Sequence, residues 1–378
     1  MLLRRGGPLT VFLLGAALAR LSMHLAGPYF AVYLVENGLS VALVALCFSV
    51  NNVSTFAAEY PSGILADRAG RLRAAAMGML LYGAGILLLL EPSAPTALAS
   101  AALTGLGTTF TSGSLEAWLA DTYSGAPLRR ALSLERSLGS ATGAVAGLLA
   151  SALTAAGTRA PFAASAAAAM LSAALLLVPP DNRGSSGSGQ ILRQSISVLK
   201  DPRFLLLAVH YSLVWSAILA FFIAWPLTLV DRGLDKGLLG VVYTALLAAM
   251  AAGSAVAQRL LRRLDALGYL AVFSAAALLV YTCVGLTHGL AVTLALFLLL
   301  ELMLGAYTVS LAYARNLVVP SAVRASAVSL MNLVGSLVAA IAAPLIVRPD
   351  AMRTYLTAAV LLAAALVPAL MARRLAES

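Results

Sequence analysis

At 378 residues, 61% hydrophobic and only 11% charged, the chain carries more apolar surface than a water-soluble fold can hide, and its mean hydropathy of +0.94 agrees. The net charge of +10 would point to nucleic acid in a soluble protein. Here the arginines fall in short stretches between apolar segments, so no nucleic-acid partner is expected and the cations suit an anionic lipid leaflet. Short segments of strict alternation are missing, which excludes a membrane β-barrel.

A spanning helix takes about 20 apolar residues. Twelve segments meet that need, at roughly 9–35, 41–63, 74–91, 95–119, 137–157, 160–178, 204–230, 237–258, 266–287, 289–313, 325–347 and 354–372. The first resembles a secretory leader, with Arg4 and Arg5 ahead of an apolar run. Its apolar character resumes after Arg20 and continues to Val35, so a retained helix is the better reading. Arg20 lies mid-span, with His24 one turn further on the same face. Two readings stay open for Arg20: a contact to an anionic solute group, or an ion pair with an acid. Tyr29 and Tyr33 follow, suited to packing or to stacking on a solute.

The second segment places Asn51 and Asn52 mid-span, about 100° apart around the helix, so at most one squarely faces a cavity. Glu59 is near its inner end, and the chain then runs Gly63-Ile64-Leu65-Ala66-Asp67-Arg68-Ala69-Gly70-Arg71-Leu72-Arg73. Gly63 lets a neighbouring backbone come close, Gly70 permits a turn that other residues resist, and Asp67 at a helix end needs a cation or N–H partner. Glu116 and Asp121 at the end of the fourth segment, with Arg129 beyond, suit the same charged network. The fifth segment carries Gly139, Gly143 and Gly147 on one face, a pattern for close helix packing.

The longest polar stretch, 179–203, contains the flexible composition Gly184-Ser185-Ser186-Gly187-Ser188-Gly189 and divides the chain into halves 1–178 and 204–378. Beyond it His210, Trp215 and Trp225 fall in the seventh segment, Glu301 and Tyr307 in the tenth, and Asn332 in the eleventh. Glu301 is either a protonation site or a neutral packing residue. The halves repeat. Leu34-Val35-Glu36-Asn37-Gly38-Leu39-Ser40 aligns with Leu229-Val230-Asp231-Arg232-Gly233-Leu234-Asp235, offset by 195, and Ser133–Ser140 with Ser329–Ser336, offset by 196. With the N-terminus inside, the inner stretches hold 19 of the 25 lysines and arginines, among them Arg193, Lys200, Arg262, Arg263 and Arg315; the outer ones hold five. That asymmetry predicts cytoplasmic termini.

The Gly63–Arg73 run resembles the signature G-x-x-x-D-R-x-G-R-(R/K) of the major facilitator superfamily, which lies between the second and third helices. Gly63, Asp67, Arg68, Gly70 and Arg71 match; Leu72 occupies the last basic position, with Arg73 one residue later. The resemblance implies an all-α membrane protein of twelve helices in two pseudo-symmetric six-helix bundles. It also implies a secondary transporter that alternates access to a central site. The first and tenth helices would line that site, and the Asp67 region would latch the outward-facing state. Candidate solute or proton contacts are then Arg20, His24, Asn51, Asn52, Trp215, Glu301, Tyr307 and Asn332. Candidate gating residues are Glu59, Gly63, Asp67, Arg68, Gly70, Arg71, Glu116, Asp121 and Arg129. Proton-coupled export of drug-like or lipophilic compounds is the leading expectation, uptake of a sugar, organic anion or other nutrient the alternative, and a non-transporting membrane receptor or scaffold the remote one. Drug–proton antiporters of the superfamily carry a glycine motif with Gly-Pro in the fifth helix, and no proline follows the glycines here.

No phosphate-binding loop, H-E-x-x-H or G-x-S-x-G run is present, and Cys47 and Cys283 sit apart in apolar segments. Neither an enzyme nor a metal or other cofactor is expected. The expected partners are a small solute, protons and the lipid bilayer of the cell membrane, for a monomer.

Overall fold

The computed structural model describes residues 7–183, 201–261, 265–319 and 324–377. Arg4, Arg5, the Gly184–Gly189 stretch, Arg193, Lys200, Arg262 and Arg263 lie outside the described residues. Within them all regular structure is helical. The helices are α1 (Pro8–Ala26), α2 (Phe30–Glu36), α3 (Val41–Ala69), α4 (Arg71–Leu88), α5 (Ala94–Thr122), α6 (Gly125–Thr154) and α7 (Ala160–Leu176). The second half supplies α8 (Pro202–Asp231), α9 (Leu239–Leu260), α10 (Ala266–Leu286), α11 (Leu290–Val318), α12 (Arg324–Ile346) and α13 (Ala351–Glu377). A 3-10 turn at Gly27-Pro28-Tyr29 joins α1 to α2. Pro28 has no N–H for the ladder, so one span is broken rather than two formed. Counted that way, the described residues make twelve crossings.

Ten of these are long and apolar enough to cross a bilayer by length and composition. The other two are α5, diluted by threonine, serine and glycine, and α7, with 17 residues. Large apolar side chains such as Leu148, Leu171, Leu279, Ile341 and Val360 face outward from their helices. In lipid such a surface carries no penalty.

Several helices outrun the apolar segments that announce them. The end of α3 continues to Ala69 and stops only at Gly70, whose φ of +118° no ordinary residue holds easily. The signature up to Ala69 is therefore helix and not loop. Likewise α6 begins at Gly125, which puts Arg129, Glu135 and Arg136 on a helix, and α11 runs through Arg315 to Val318.

The chain forms two compact units. Unit 1 comprises Met1–Leu39, Val50–Ser186 and Gly237–Thr244; unit 2 comprises Ser40–Ser49, Gly187–Lys236 and Ala245–Ser378. In unit 1, α4 packs on α5 and α7, and α1 on α6 and α7. In unit 2, α10 packs on α11 and α13, and α8 on α12 and α13. Advancing every partner by six crossings converts one pattern into the other. The repeat holds down to single hydrogen bonds. After α2, the Leu39 N–H reaches the Leu34 carbonyl at 3.1 Å and Gly38 has φ +82°; after α8, the Leu234 N–H reaches the Leu229 carbonyl at 2.9 Å and Gly233 has φ +93°. Both are Schellman caps, which need a residue free to enter positive φ.

Candidate functional site

At the corner between α3 and α4, unit 1 builds a charged clamp. Arg71 meets Asp67 at 2.6 Å and, through Nε, Asp121 of α5 at 3.2 Å. The chain just after α7 closes over the same corner. Asp181 accepts hydrogen bonds from the Leu72 and Arg73 backbone N–H groups at 2.8 and 3.2 Å, and the Asn182 carbonyl accepts one from Arg71 at 3.0 Å. These are donors that the first turn of α4 would otherwise leave unpaired, and a carboxylate there is favoured by the helix dipole. Asn182 donates to the Trp118 carbonyl and to Thr122, and the Trp118 indole donates to the Pro180 carbonyl at 3.1 Å. A Cβ on Gly70 would lie 2.0 Å from Asp181 Oδ2. The turn thus demands glycine twice, for its φ and for the carboxylate beside it.

The other expected gating residues stand apart from the clamp. Glu116 pairs with Arg136 at 3.6 Å, both exposed. Arg68 and Arg129 are exposed and make no ion pair among the described residues, and Glu59 is exposed. Among the described residues nothing lies within 4 Å of a Cβ built on Gly63, so none of them makes the close backbone approach expected there. Asp181 escaped the sequence reading because about a hundred residues separate it from the turn it caps; an acid directly after Pro179-Pro180 was its one visible sign.

Inside unit 1, Arg20 lies 3.7 Å from Glu135 of α6. His24 Nδ1 is 2.6 Å from the Tyr243 hydroxyl. Gly139 faces the Arg20 side chain and Gly143 the His24 ring, at 3.5 and 3.3 Å from their Cβ positions. These two glycines therefore clear space for side chains rather than for a helix backbone. Gly147 alone meets a backbone, that of Gly240, whose own Cβ would fall 2.0 Å from the Gly147 carbonyl oxygen. Tyr29 braces this junction, accepting from the Gly240 N–H and donating to the Gly237 carbonyl, with its hydroxyl 3.1 Å from Ser151. Asn51 donates to Thr104 and the Ala101 carbonyl on α5, while Asn52 is half-buried on α3. Tyr33 is buried and donates to the Leu89 carbonyl at 2.8 Å. Glu135 and Tyr243 were not singled out in the sequence.

Unit 2 holds a different set. Glu301 is 4% exposed on α11, and its Oε2 has no hydrogen-bond partner among the described residues. His210 is fully buried; Nδ1 lies 3.0 Å from the Ala365 carbonyl and Nε2 has no partner among the described residues. Tyr307 stacks on Phe273 at 4.3 Å and lies 5.9 Å from His210, its buried hydroxyl also unpartnered. Trp215 stacks on Tyr211 at 5.9 Å, and Trp225 is buried. The Tyr211 ring edge fills the place where a Cβ on Gly335 would stand. Arg315 lies over the Tyr211 ring at 4.8 Å and donates to Asn332 Oδ1 at 3.1 Å. Among the described residues no three His, Cys, Asp or Glu side chains gather as metal ligands would.

The family model of the Major Facilitator Superfamily matches residues 12–343. The chain belongs to that superfamily. As a superfamily member it is a multi-pass membrane transporter of small solutes and not an enzyme. The corner bound by Asp67 and Arg71 lies within the run that resembles the superfamily's signature. Solved structures of this fold are similar along the whole chain. A bacterial homolog to the human lysosomal transporter Spinster, in an inward-facing and unoccupied conformation, has a TM-score of 0.80 at 15% identity, covering 97% of this chain and 96% of that one. The nucleoside transporter NupG has a TM-score of 0.81 at 11% identity, covering 98% and 99%. A peptide transporter, POT, has a TM-score of 0.77 at 17% identity, covering 98% and 94%. A search of curated proteins finds no significant match. At such identities the likeness speaks for fold and leaves the solute open.

Proposed function

We propose that this superfamily member is a proton-coupled secondary transporter of the cell membrane, working by alternating access, with Glu301 as the proton carrier. The supporting observation is the placement of that carboxyl. It is buried in a spanning helix and one of its oxygens has no donor among the described residues. A charge at such depth costs about 2.5–3.5 kcal/mol on insertion scales, so gain and loss of a proton there changes the energy of the surrounding packing. Glu135 is less suited to the task, because Arg20 already compensates it. In this reading the halves 1–178 and 204–378, joined by 179–203, are the moving bodies, both termini are cytoplasmic, and the Asp67–Arg71–Asp121 chain is the latch.

The test is solute flux in proteoliposomes with a pH gradient imposed in each direction, which also reads import against export. Glu301→Gln keeps the shape and removes the titration. The expected result is loss of gradient-driven flux with counterflow exchange retained. Gradient-driven flux equal to the unaltered protein's would remove Glu301 from the role. For the latch, Asp67→Asn is expected to shift the labelling of introduced cysteines reachable from outside.

A further inference from the structure

Arg20 of unit 1 has an acid beside it and Arg315 of unit 2 does not. Arg315 occupies the last turns of α11, half-buried, and no carboxylate pairs with it among the described residues. Its Nε is buried without a hydrogen-bond partner among the described residues. A positive-inside anchor would extend its head into water. This side chain instead folds back over Tyr211 of α8, with Nη2 on Asn332 Oδ1. Tyr211 cannot yield, since Trp215 stacks on it and Gly335 closes against its edge. The guanidinium is thus set in place by an aromatic platform and an amide oxygen, both uncharged.

A planar guanidinium has five N–H donors. One is used by Asn332, and the Tyr211 hydroxyl is within reach of another, which leaves donors over. Asn332 is exposed, and because its Oδ1 accepts from Arg315, its Nδ2 group keeps donors of its own. Cation and amide donors side by side match an oxyanion, which takes guanidinium hydrogen bonds in pairs and contributes the missing negative charge.

We propose that Arg315 and Asn332 form an oxyanion subsite in unit 2. It takes a carboxylate or phosphate group, carried either by a small organic acid or by a lipid headgroup. The subsite stands apart from Glu301 in both residues and chemistry.

The experiment is a thermal-unfolding titration of the purified full-length protein. One arm uses neutral detergent with added succinate or inorganic phosphate, chloride holding the ionic strength constant. The other uses nanodiscs of phosphatidylcholine with and without phosphatidylglycerol. The expected result is a saturable rise of the midpoint in at least one arm: in the first for a free acid, in the second for a headgroup. Arg315→Gln is expected to weaken the response about tenfold or more, which is the scale of one charge-assisted hydrogen-bond pair. Asn332→Ala is expected to weaken it several-fold. No anion-dependent rise in either arm overturns the subsite, as does an Arg315→Gln response equal to the unaltered protein's. Should Arg315→Gln fail to fold, Arg315→Lys and Asn332→Ala decide, and full affinity in both overturns it. Flux is not read here, so a Glu301→Gln variant with normal flux unseats the proton carrier and leaves this subsite standing.

Discussion

The two units share one packing scheme and treat their polar interiors in opposite ways. In unit 1 the charged and titratable groups are matched: Arg20 with Glu135, His24 with Tyr243, Arg71 with Asp67 and Asp121. In unit 2 the corresponding depth holds buried atoms that no neighbour among the described residues satisfies, on Glu301, His210, Tyr307, Trp215 and Arg315. Buried polar atoms without partners destabilise a structure. Unit 1 has such atoms too, on Thr10, Ser100 and Asn182, but those on titratable or cationic groups, Glu301, His210, Tyr307 and Arg315, all lie in unit 2. The corners differ as well. Unit 1 caps α4 with Asp181 from beyond α7, whereas unit 2 caps α10 with its own Asp265, which donates nothing and accepts from the Gly268 N–H at 2.6 Å. Asp265 then meets Arg373 of α13 at 3.0 Å. The same pair of helices is tied in both units, once by a carboxylate on backbone amides and once by an ion pair.

The contrast can be broken or sharpened by substitution, read as thermal unfolding in detergent. The largest effect is expected from Gly70→Ala, which forces an ordinary residue to a strained φ and pushes a methyl group into Asp181. A loss of about 3 kcal/mol is expected, and an unchanged midpoint would mean that the corner is not held as described. Asp181→Ala comes next, at about 2 kcal/mol, because it strands two amides of α4. Asp265→Ala should cost less than that if the two corners differ as their geometry says, since an exposed ion pair contributes little.

Asp201, which caps α8, gives a smaller effect with a definite pH dependence. Burial alone would raise its pKa, but hydrogen bonds and charge from Arg203 outweigh it, and the net shift is downward from the ordinary 3.8. The stabilisation is therefore full above that value and is lost as pH falls through the lowered one. Asp201→Ala should cost about 1 kcal/mol at neutral pH, and the difference from the parent should vanish in strong acid. The smallest effect carries the opposite sign. Tyr307→Phe removes a buried hydroxyl that has no partner, so stability should hold or rise by under about 1 kcal/mol. A clear loss would show that the hydroxyl is satisfied and that the contrast between the units is overstated.

Much of the architecture was legible in the chain because lipid imposes a simple rule: apolar runs of about 20 residues cross it. The same rule misplaced helix ends. Hydropathy marks where hydrocarbon stops, while the hydrogen-bond ladder of α3, α6 and α11 continues past that level into polar turns. Arg315 was counted with the inner loop for that reason. The repeat was visible as Gly38 and Gly233, because a Schellman cap restricts its residue type. Glu135 and Asp181 were not visible. Their roles depend on which helix lies opposite, and no local pattern encodes that.

The junction of Gly147 and Gly240 has a consequence for motion. Two peptide backbones touch there with no side chain between them. Side chains can re-pack through a series of rotamers as neighbours drift apart, and so can yield by degrees. Bare backbones offer no such series, so this junction is either made or open, and it lends discreteness to any rearrangement that separates α6 from the start of α9.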